Sequence, residues 1–458
     1  MSFRHLYHNL RFKTVLKTAT ATMMTAVSLP VLVSLPSNPS YSTEPLSEGE
    51  TYLSTQHHKK GGGFVNPWAS FSDLGMGPMV LVNMWRDWKK VKIPPLEELP
   101  PFVGDVDWGK GRTDWKDKIK ATWLGHACYV VEFPSTVEGA KRGPRVLFDP
   151  IFSQRCSPSQ YVGPARVTKP PIELSQLPEI DAVIISHNHY DHLDLDTLRH
   201  IHSSQAPGSV HFFAPLGNKD WFKSNIGTKE EEVTELDWWG ERELVMQIGD
   251  NGQKEKLRVV CTPCQHVSTE RLFWAWGIRS SDDAGLSQFT GRSPFDRNAT
   301  LWASWAVVAQ KGRVWFGGDT GYKAVPRGAK PEHEAGLPTC PAFKEIGQRF
   351  GGFDFAMIPI GAYSPRWFMS RIHANPSDAV HIHQDVQSRQ SAPMHFATFV
   401  LTDEEMTEPP RLLRQECDKR GIKEAEFRVG GFGETVAAEA TSRCPELGAD
   451  NGAPKSKM

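Results

Sequence analysis

The chain has 458 residues, 23% of them charged, and a formal net charge of −1. It can therefore bury a large core, and its bulk charge gives no basic excess for gripping nucleic acid. Fifteen tryptophans supply large rigid packing surfaces, whereas 34 prolines and 38 glycines exclude a simple helical bundle in favour of turns and long loops.

Residues 1–43 contain no Asp or Glu but carry Arg4, Arg11, Lys13 and Lys17 among many Ser and Thr. Basic, hydroxyl-rich and acid-free composition is that of a mitochondrial presequence. Thr18 to Leu35 is uncharged and weakly apolar, interrupted by Pro30, and lies near the lower length limit for a membrane span. A presequence with an anchor, a secretory signal or signal anchor, and a disordered tail are the three readings of this segment. The seven cysteines, an odd and scattered set, do not form a disulfide framework and favour a reducing compartment, hence a mitochondrial membrane location over the secretory one. Ser, Pro and Gly then dominate up to Gly63, so 44–63 reads as a flexible linker, with His57-His58-Lys59-Lys60 solvated within it in preference to an adventitious metal site at the His pair. Phe64 to Trp115 lacks long periodic segments and is expected to wrap the domain as extended chain and short helices.

Regular strands begin near Ile119. Ala121 to His126 and Cys128 to Phe133 read as strands joined by a tight turn, and Arg145 to Phe148 as another, ending in Asp149-Pro150. Strand–turn–strand first and strand–helix alternation later suggest two mixed sheets with helices outside, an α/β fold. Helices are expected over Leu193–His202 and Arg411–Arg420, the latter with Leu413 and Cys417 on one face. The Cys261-Thr262-Pro263-Cys264 pair has no second C-x-x-C to complete a zinc ribbon, so it reads as buried strand-end thiols rather than a metal or redox pair. The polar tail, 436–458, reads as disordered.

The chemistry concentrates in Ser186-His187-Asn188-His189-Tyr190-Asp191-His192-Leu193-Asp194, directly after the apolar strand Ala182-Val183-Ile184-Ile185. A chain turning out of a strand can aim His187 and His189 at one point, and Asp191 and His192 at a second. Imidazole and carboxylate suit zinc, iron or manganese, and no thiolate lies in the stretch. A binuclear site needs further ligands from other strand ends. His266 ends Val259 to His266, Asp319 sits at the tip of a glycine turn after Arg313 to Phe316, and His395 ends Ser391 to Phe396. Each alone also reads as a satisfied polar residue at a strand terminus.

The pattern H-x-H-x-D-H resembles the signature of the metallo-β-lactamase fold. The ordered series resembles, more narrowly, the N-acylphosphatidylethanolamine-hydrolysing phospholipase D family. Besides the metal motif it includes Phe64-Val65-Asn66-Pro67-Trp68, Thr122 to Ala127, Asp149 to Ser153, Ser157 to Tyr161 and Glu235 to Trp239. Gly317 to Tyr322, Ile358 to Tyr363, Pro365 to Met369 and His373 continue it, so the likeness spans about 64–435 and implies one αββα sandwich domain there. The resemblance implies two Zn2+ per chain, with His187, His189 and His266 on the first, Asp191, His192 and His395 on the second, and Asp319 bridging. Tyr190 and His373 match positions used around the phospholipid head group, Gln160 and Tyr161 match a loop near the site, and Asp149 matches a supporting aspartate. His126 reads as structural.

Two divalent ions about 3.5–4 Å apart clamp a phosphodiester and lower a water's pKa to about 7, so that hydroxide attacks phosphorus. The implied activity is hydrolysis of N-acylphosphatidylethanolamine to N-acylethanolamine and phosphatidate at a membrane surface, by a chain that pairs as a homodimer. Trp85 to Trp88 and Leu272 to Trp276 are candidates for bilayer contact or for the core. An insertion around 276–299 departs from the family pattern, close behind His266. The alternatives are a lactonase or phosphoesterase acting on a soluble substrate, or a non-catalytic membrane-tethered scaffold.

Overall fold

A computed structural model of the protein describes residues 31–36, 56–73, 91–248, 253–268 and 298–441. The first seven strands are β1 (Leu32–Ser34), β2 (Lys118–Trp123), β3 (Tyr129–Glu132), β4 (Arg145–Phe148), β5 (Ala182–Ile184), β6 (His211–Pro215) and β7 (Val233–Leu236). They are followed by β8 (Glu241–Gln247), β9 (Lys254–Thr262), β10 (Ser304–Ala309), β11 (Arg313–Phe316), β12 (Phe353–Pro359), β13 (Ser388–Met394) and β14 (Thr435–Glu439). The helices are α1 (Leu195–Ser204), α2 (Lys219–Asn225), α3 (Ala342–Phe350), α4 (Arg366–Met369), α5 (Pro376–Asp385) and α6 (Glu408–Lys419).

These strands form two seven-stranded sheets, in the orders β14-β2-β3-β4-β5-β6-β7 and β1-β8-β9-β10-β11-β12-β13. Both sheets are mixed. Antiparallel pairing of β2, β3 and β4 gives way to parallel pairing through β7, and antiparallel β8 to β11 gives way to parallel β12 and β13. The period-2 alternation of a strand explains the layering. On β5, Ala182 and Ile184 join the core between the sheets, while Val183 joins Leu198 and Ile201 of α1 on the outer face. On β6, Phe213 points inward, whereas Phe212 and Ala214 meet Trp221 and Phe222 of α2. Because both faces are covered, these strands read as continuous apolar runs rather than alternating ones. Across the sandwich, Phe148 and Phe316 stack with centroids 4.7 Å apart, and the Trp305 indole donates to the Ile185 carbonyl at 3.0 Å. The metallo-β-lactamase αββα arrangement expected from the sequence is the arrangement found.

The chain departs from the expected boundaries at both ends. The last part of the segment read as a linker is folded: His58 bridges Phe64, and Val65 N–H donates to the His57 carbonyl at 2.8 Å. Gly61, Gly62 and Gly63 all have positive φ (98°, 103° and 78°), which lets the chain reverse where larger residues would be strained. A glycine run that builds a turn has the same composition as a flexible tether. Leu32–Ser34, inside the weakly apolar segment considered as a membrane anchor, pair antiparallel with β8. No helix among the described residues is long and apolar enough to cross a membrane. Beyond Gly433 the chain continues as β14, which pairs with β2 through Glu439, so folded structure passes the expected boundary at 435. The aromatic candidates at 85–88 and 272–276, and residues 276–297 of the insertion, lie outside the described residues. The described residues on either side of 269–297 meet, since Asn298 N–H donates to the Ser268 carbonyl at 3.0 Å.

Candidate metal centre

Histidine and aspartate side chains converge where strand ends of both sheets meet, the usual place for ligands in α/β folds. β5 runs out through Ile185 into the His187–His192 turn, and β4 leads directly into Asp149, whose φ is 37°. Asp149 is fully buried and organises the turn. Its Oδ1 accepts from Ser186 N–H at 2.7 Å, and its Oδ2 accepts from Ser186 Oγ at 2.6 Å and from His192 Nδ1 at 2.7 Å. Since the Ser186 hydroxyl proton goes to Asp149, Ser186 Oγ can only accept from His187 Nδ1, 2.8 Å away. His266 Nδ1 donates to the Ile372 carbonyl at 2.9 Å. These acceptors fix a proton on Nδ1 of His187, His192 and His266 and turn each Nε2 toward the centre.

Two ligand sets result. Ligand atoms of His187, His189, His266 and Asp319 all lie within 4.8 Å of one another, and so do those of His126, Asp191, His192 and His395. Asp319 Oδ2 stands between them, 3.1 Å from His395 Nε2, 3.2 Å from His192 Nε2, 3.8 Å from His187 Nε2 and 4.0 Å from His266 Nε2. Asp191 Oδ2 lies 2.9 Å from His126 Nε2, 3.3 Å from His395 Nε2 and 3.4 Å from His192 Nε2. His126, read from the sequence as structural, thus stands at ligand distance in the second set. A histidine at a positive φ of 49° in the β2–β3 turn carried no sequence signal beyond its motif.

The donor set fits divalent cations. His187 Nε2 and His189 Nδ1 face each other at 2.8 Å, and His189 Nδ1 is 3.4 Å from His266 Nε2. Asp319 Oδ1, His192 Nε2 and His189 Nε2 are buried with no hydrogen-bond partner. Buried polar atoms are rarely left so, and converging imidazoles with carboxylates are what zinc-like ions take. Burial and neighbouring histidines push His189 down to about 3, and burial lowers His266 to about 4 despite Asp319, so both are neutral and able to coordinate. Burial alone would raise Asp319, but His192, His395 and His373 hold it well below the usual carboxylate range.

His266, just beyond β9, is held by packing against the turn after β11 and two further segments. Gln265 and Gly321 form a bridge, Gln265 Nε2 donates to the Arg371 carbonyl at 2.8 Å, and Asn66 Nδ2 donates to the His266 carbonyl at 2.7 Å. Asn66 belongs to the Phe64–Trp68 motif, whose positioning role nothing in the sequence specified. Asp319 is delivered by the turn at Gly317-Gly318. A Cβ on Gly318, which has φ 58°, would stand 2.6 Å from Ser186 Cβ. Gly318→Ala is expected to lower stability by about 1–3 kcal/mol and to displace Asp319, read as a lower unfolding midpoint together with lower metal content.

His373 lies beside the centre, with Nδ1 3.9 Å from Asp319 Oδ2 and without a hydrogen-bond partner. Tyr190 is partly buried on the metal turn. Gln160 and Tyr161, matched to a substrate-binding loop near the site, lie outside the two ligand sets. The Gln160 amide closes its own loop by exchanging hydrogen bonds with the Arg155 main chain at 3.0 Å each, and Tyr161 is 92% exposed. Cys261 and Cys264 are buried free thiols, pushed up by burial, as the strand-end reading expects.

Residues 144–396, more than half of the chain, match the beta-lactamase superfamily domain. The chain is 36% identical over 318 residues to N-acyl-phosphatidylethanolamine-hydrolyzing phospholipase D 1 of Caenorhabditis elegans, covering 69% of this chain and 74% of that protein. It is 29% identical over 335 residues to the mitochondrial enzyme of the same description from Saccharomyces cerevisiae, covering 73% of this chain and 56% of that one. An uncharacterized Mycobacterium tuberculosis protein is 37% identical over 296 residues, 64% of this chain and 62% of its own length. Among solved structures, a metallo hydrolase from Ignicoccus hospitalis matches with a TM-score of 0.40 at 18% identity, over 70% of this chain and 98% of that one. From this sequence likeness, on a sandwich whose strand ends gather the expected histidines and aspartates, the chain belongs to the N-acylphosphatidylethanolamine-hydrolysing phospholipase D family of the metallo-β-lactamase superfamily.

Proposed function

We propose that the protein is a binuclear zinc phosphodiesterase that hydrolyses N-acylphosphatidylethanolamine to N-acylethanolamine and phosphatidate. The observation that carries this reading is Asp319 Oδ2, one carboxylate oxygen facing imidazoles of both ligand sets. His187, His189 and His266 would hold one ion, and Asp191, His192 and His395 the other, with Asp319 between and His126 alongside Asp191. Two divalent ions so held offset charge on the phosphoryl oxygens and lower the pKa of a water to about 7.

The chain's own residues do the positioning. Asp149 and Ser186 hold the imidazoles in the ligating tautomer, and the buried setting strengthens each charge interaction. His373, whose buried Nδ1 has no hydrogen-bond partner, would bond a phosphoryl or leaving oxygen, and Tyr190 would touch the head group. The new P–O bond is to water oxygen, the bond to the ethanolamine oxygen breaks, and a water proton ends on that oxygen. Tyr161, exposed on its loop, suits contact with a lipid surface better than with the buried ions. The reading includes a mitochondrial membrane address for residues 1–43, in keeping with the description of the yeast relative, and a homodimer.

The purified full chain, given N-acylphosphatidylethanolamine in vesicles, is expected to release N-acylethanolamine and phosphatidate in equal amounts. Dialysis against a chelator is expected to abolish turnover, and zinc to restore it. Release of free fatty acid instead, or undiminished turnover after the metal is removed, would refute the assignment.

A further inference from the structure

Away from the strand-end cluster, a second gathering of metal-ligating side chains forms where the N-terminal hairpin meets the body of the protein. His57 Nε2 lies 2.6 Å from Asp237 Oδ1, and His58 Nε2 lies 2.7 Å from Asp237 Oδ2. One ligand atom from each of the three falls within 4.8 Å of the other two. We propose that His57, His58 and Asp237 form an additional divalent-cation site, suited to zinc, which clamps the His57–Val65 hairpin onto the turn that joins the two sheets.

Three features set this cluster apart from a solvated histidine pair. First, adjacent histidines have converged on one carboxylate some 180 positions away in sequence. Second, the ligands are held in place before any ion arrives. The His57 ring is buried between Trp238, 4.2 Å away with planes at 25°, and Phe64, 6.1 Å away at 17°. Asp237 is fixed in the turn between β7 and β8 by its Oδ1 accepting from Trp238 N–H at 2.8 Å and its carbonyl accepting from Gly240 N–H at 2.9 Å. Third, the outer side is open. The side chains of His58 and Asp237 are 41% and 37% exposed, which gives an ion an entry path and leaves room for water to complete a tetrahedral shell. Two imidazoles and one carboxylate without thiolate match zinc, or iron and manganese, better than calcium or magnesium. On loading, each imidazole carries its proton on Nδ1 and turns its Nε2 lone pair to the ion in place of the Nε2–H it now presents to Asp237.

Loading would steady the active-site side of the molecule as well. Eight residues beyond His58, Asn66 holds the His266 carbonyl, and Phe64 N–H donates to the Asn298 carbonyl at 2.8 Å, at the foot of the insertion. An ion at the hairpin therefore restrains the segment that braces one of the centre's histidines.

The test counts metal on the full chain and reads the hairpin directly. After dialysis in zinc buffer, His58→Gln and Asp237→Asn are each expected to hold one zinc equivalent fewer than wild type, and that loss is expected to add to the loss caused by Asp319→Asn. Trypsin cuts after Lys59 and Lys60, which are exposed in the hairpin turn. Zinc at about ten times the site's dissociation constant is expected to slow that cut about tenfold in wild type and not at all in His58→Gln. His58 is half-exposed, so its variant keeps the fold even where Asp237→Asn does not, and alone decides the matter. Unchanged zinc content in His58→Gln, or a cutting rate indifferent to zinc in wild type, overturns the site. Neither readout depends on the lipid substrate, so failure here leaves the phosphodiesterase reading to its own assay.

Discussion

Asp319→Asn is expected to lower kcat/KM for N-acylphosphatidylethanolamine about a thousandfold or more, a loss on the order of 4 kcal/mol in transition-state stabilisation. The substitution preserves shape and removes charge. In the wild-type centre one oxygen of Asp319 lies 3.1–4.0 Å from nitrogens of His395, His192, His187 and His266, and the residue is buried. A neutral amide there would give bound cations no counter-charge, in a setting where water screens little. It also turns an N–H toward lone pairs that ought to hold metal. The zinc content of the purified variant is therefore expected to fall along with turnover, while far-UV circular dichroism stays that of wild type. Should Asp319→Asn turn over lipid at the wild-type rate with full metal content, the bridging role is wrong and the two ligand sets act separately.

How much of this centre could be read from the sequence depends on how each residue is delivered. His187, His189, Asp191 and His192 share one turn after an apolar strand, so their spacing alone placed them together. His266, Asp319 and His395 come from three other strand ends, and only the resemblance to a known family joined them. The structure brings them together because β9 and β11, each antiparallel to β10, run in the same direction as β12 and β13, so the ends of β9, β11 and β13 fall on one side, where the turn after β5 also lies. Gln160 and Tyr161 were likewise singled out only by their motif: the Gln160 amide bonds to its own loop's backbone and Tyr161 is exposed. The N-terminal hairpin was hidden for another reason. Its partner, Asp237, is remote in sequence, and a Gly-rich turn cannot be told from a tether until the residues it packs against are known. The same holds for β14, a short strand of modest β propensity that exists because β2 offers it an edge.

Asp149 is expected to be the most consequential residue outside the ligand sets. Its carboxylate holds His192 directly and His187 through the Ser186 hydroxyl, so one buried side chain sets the tautomer of one histidine in each set. Asp149→Ala removes the acceptor for Ser186 N–H, Ser186 Oγ–H and His192 Nδ1–H together, and no water-exposed surface is at hand to take them. Loss of a partner in a buried charged network costs about 3–5 kcal/mol, so the unfolding midpoint in denaturant should fall steeply, and metal affinity by about 10–100-fold or more. Asp149→Asn separates the two effects. The amide oxygen can still accept from Ser186 N–H, but the NH2 that takes the place of Oδ2 can accept neither from His192 Nδ1 nor from the Ser186 hydroxyl, so His192 is driven to place its proton on Nε2 and the released hydroxyl can donate to His187 Nδ1 and shift that proton too. Stability nearer that of wild type than Asp149→Ala, with metal depleted from both sets, is the result expected of Asp149→Asn. A variant that is destabilised yet fully loaded would show that Asp149 merely fills the core and that the tautomers are set elsewhere.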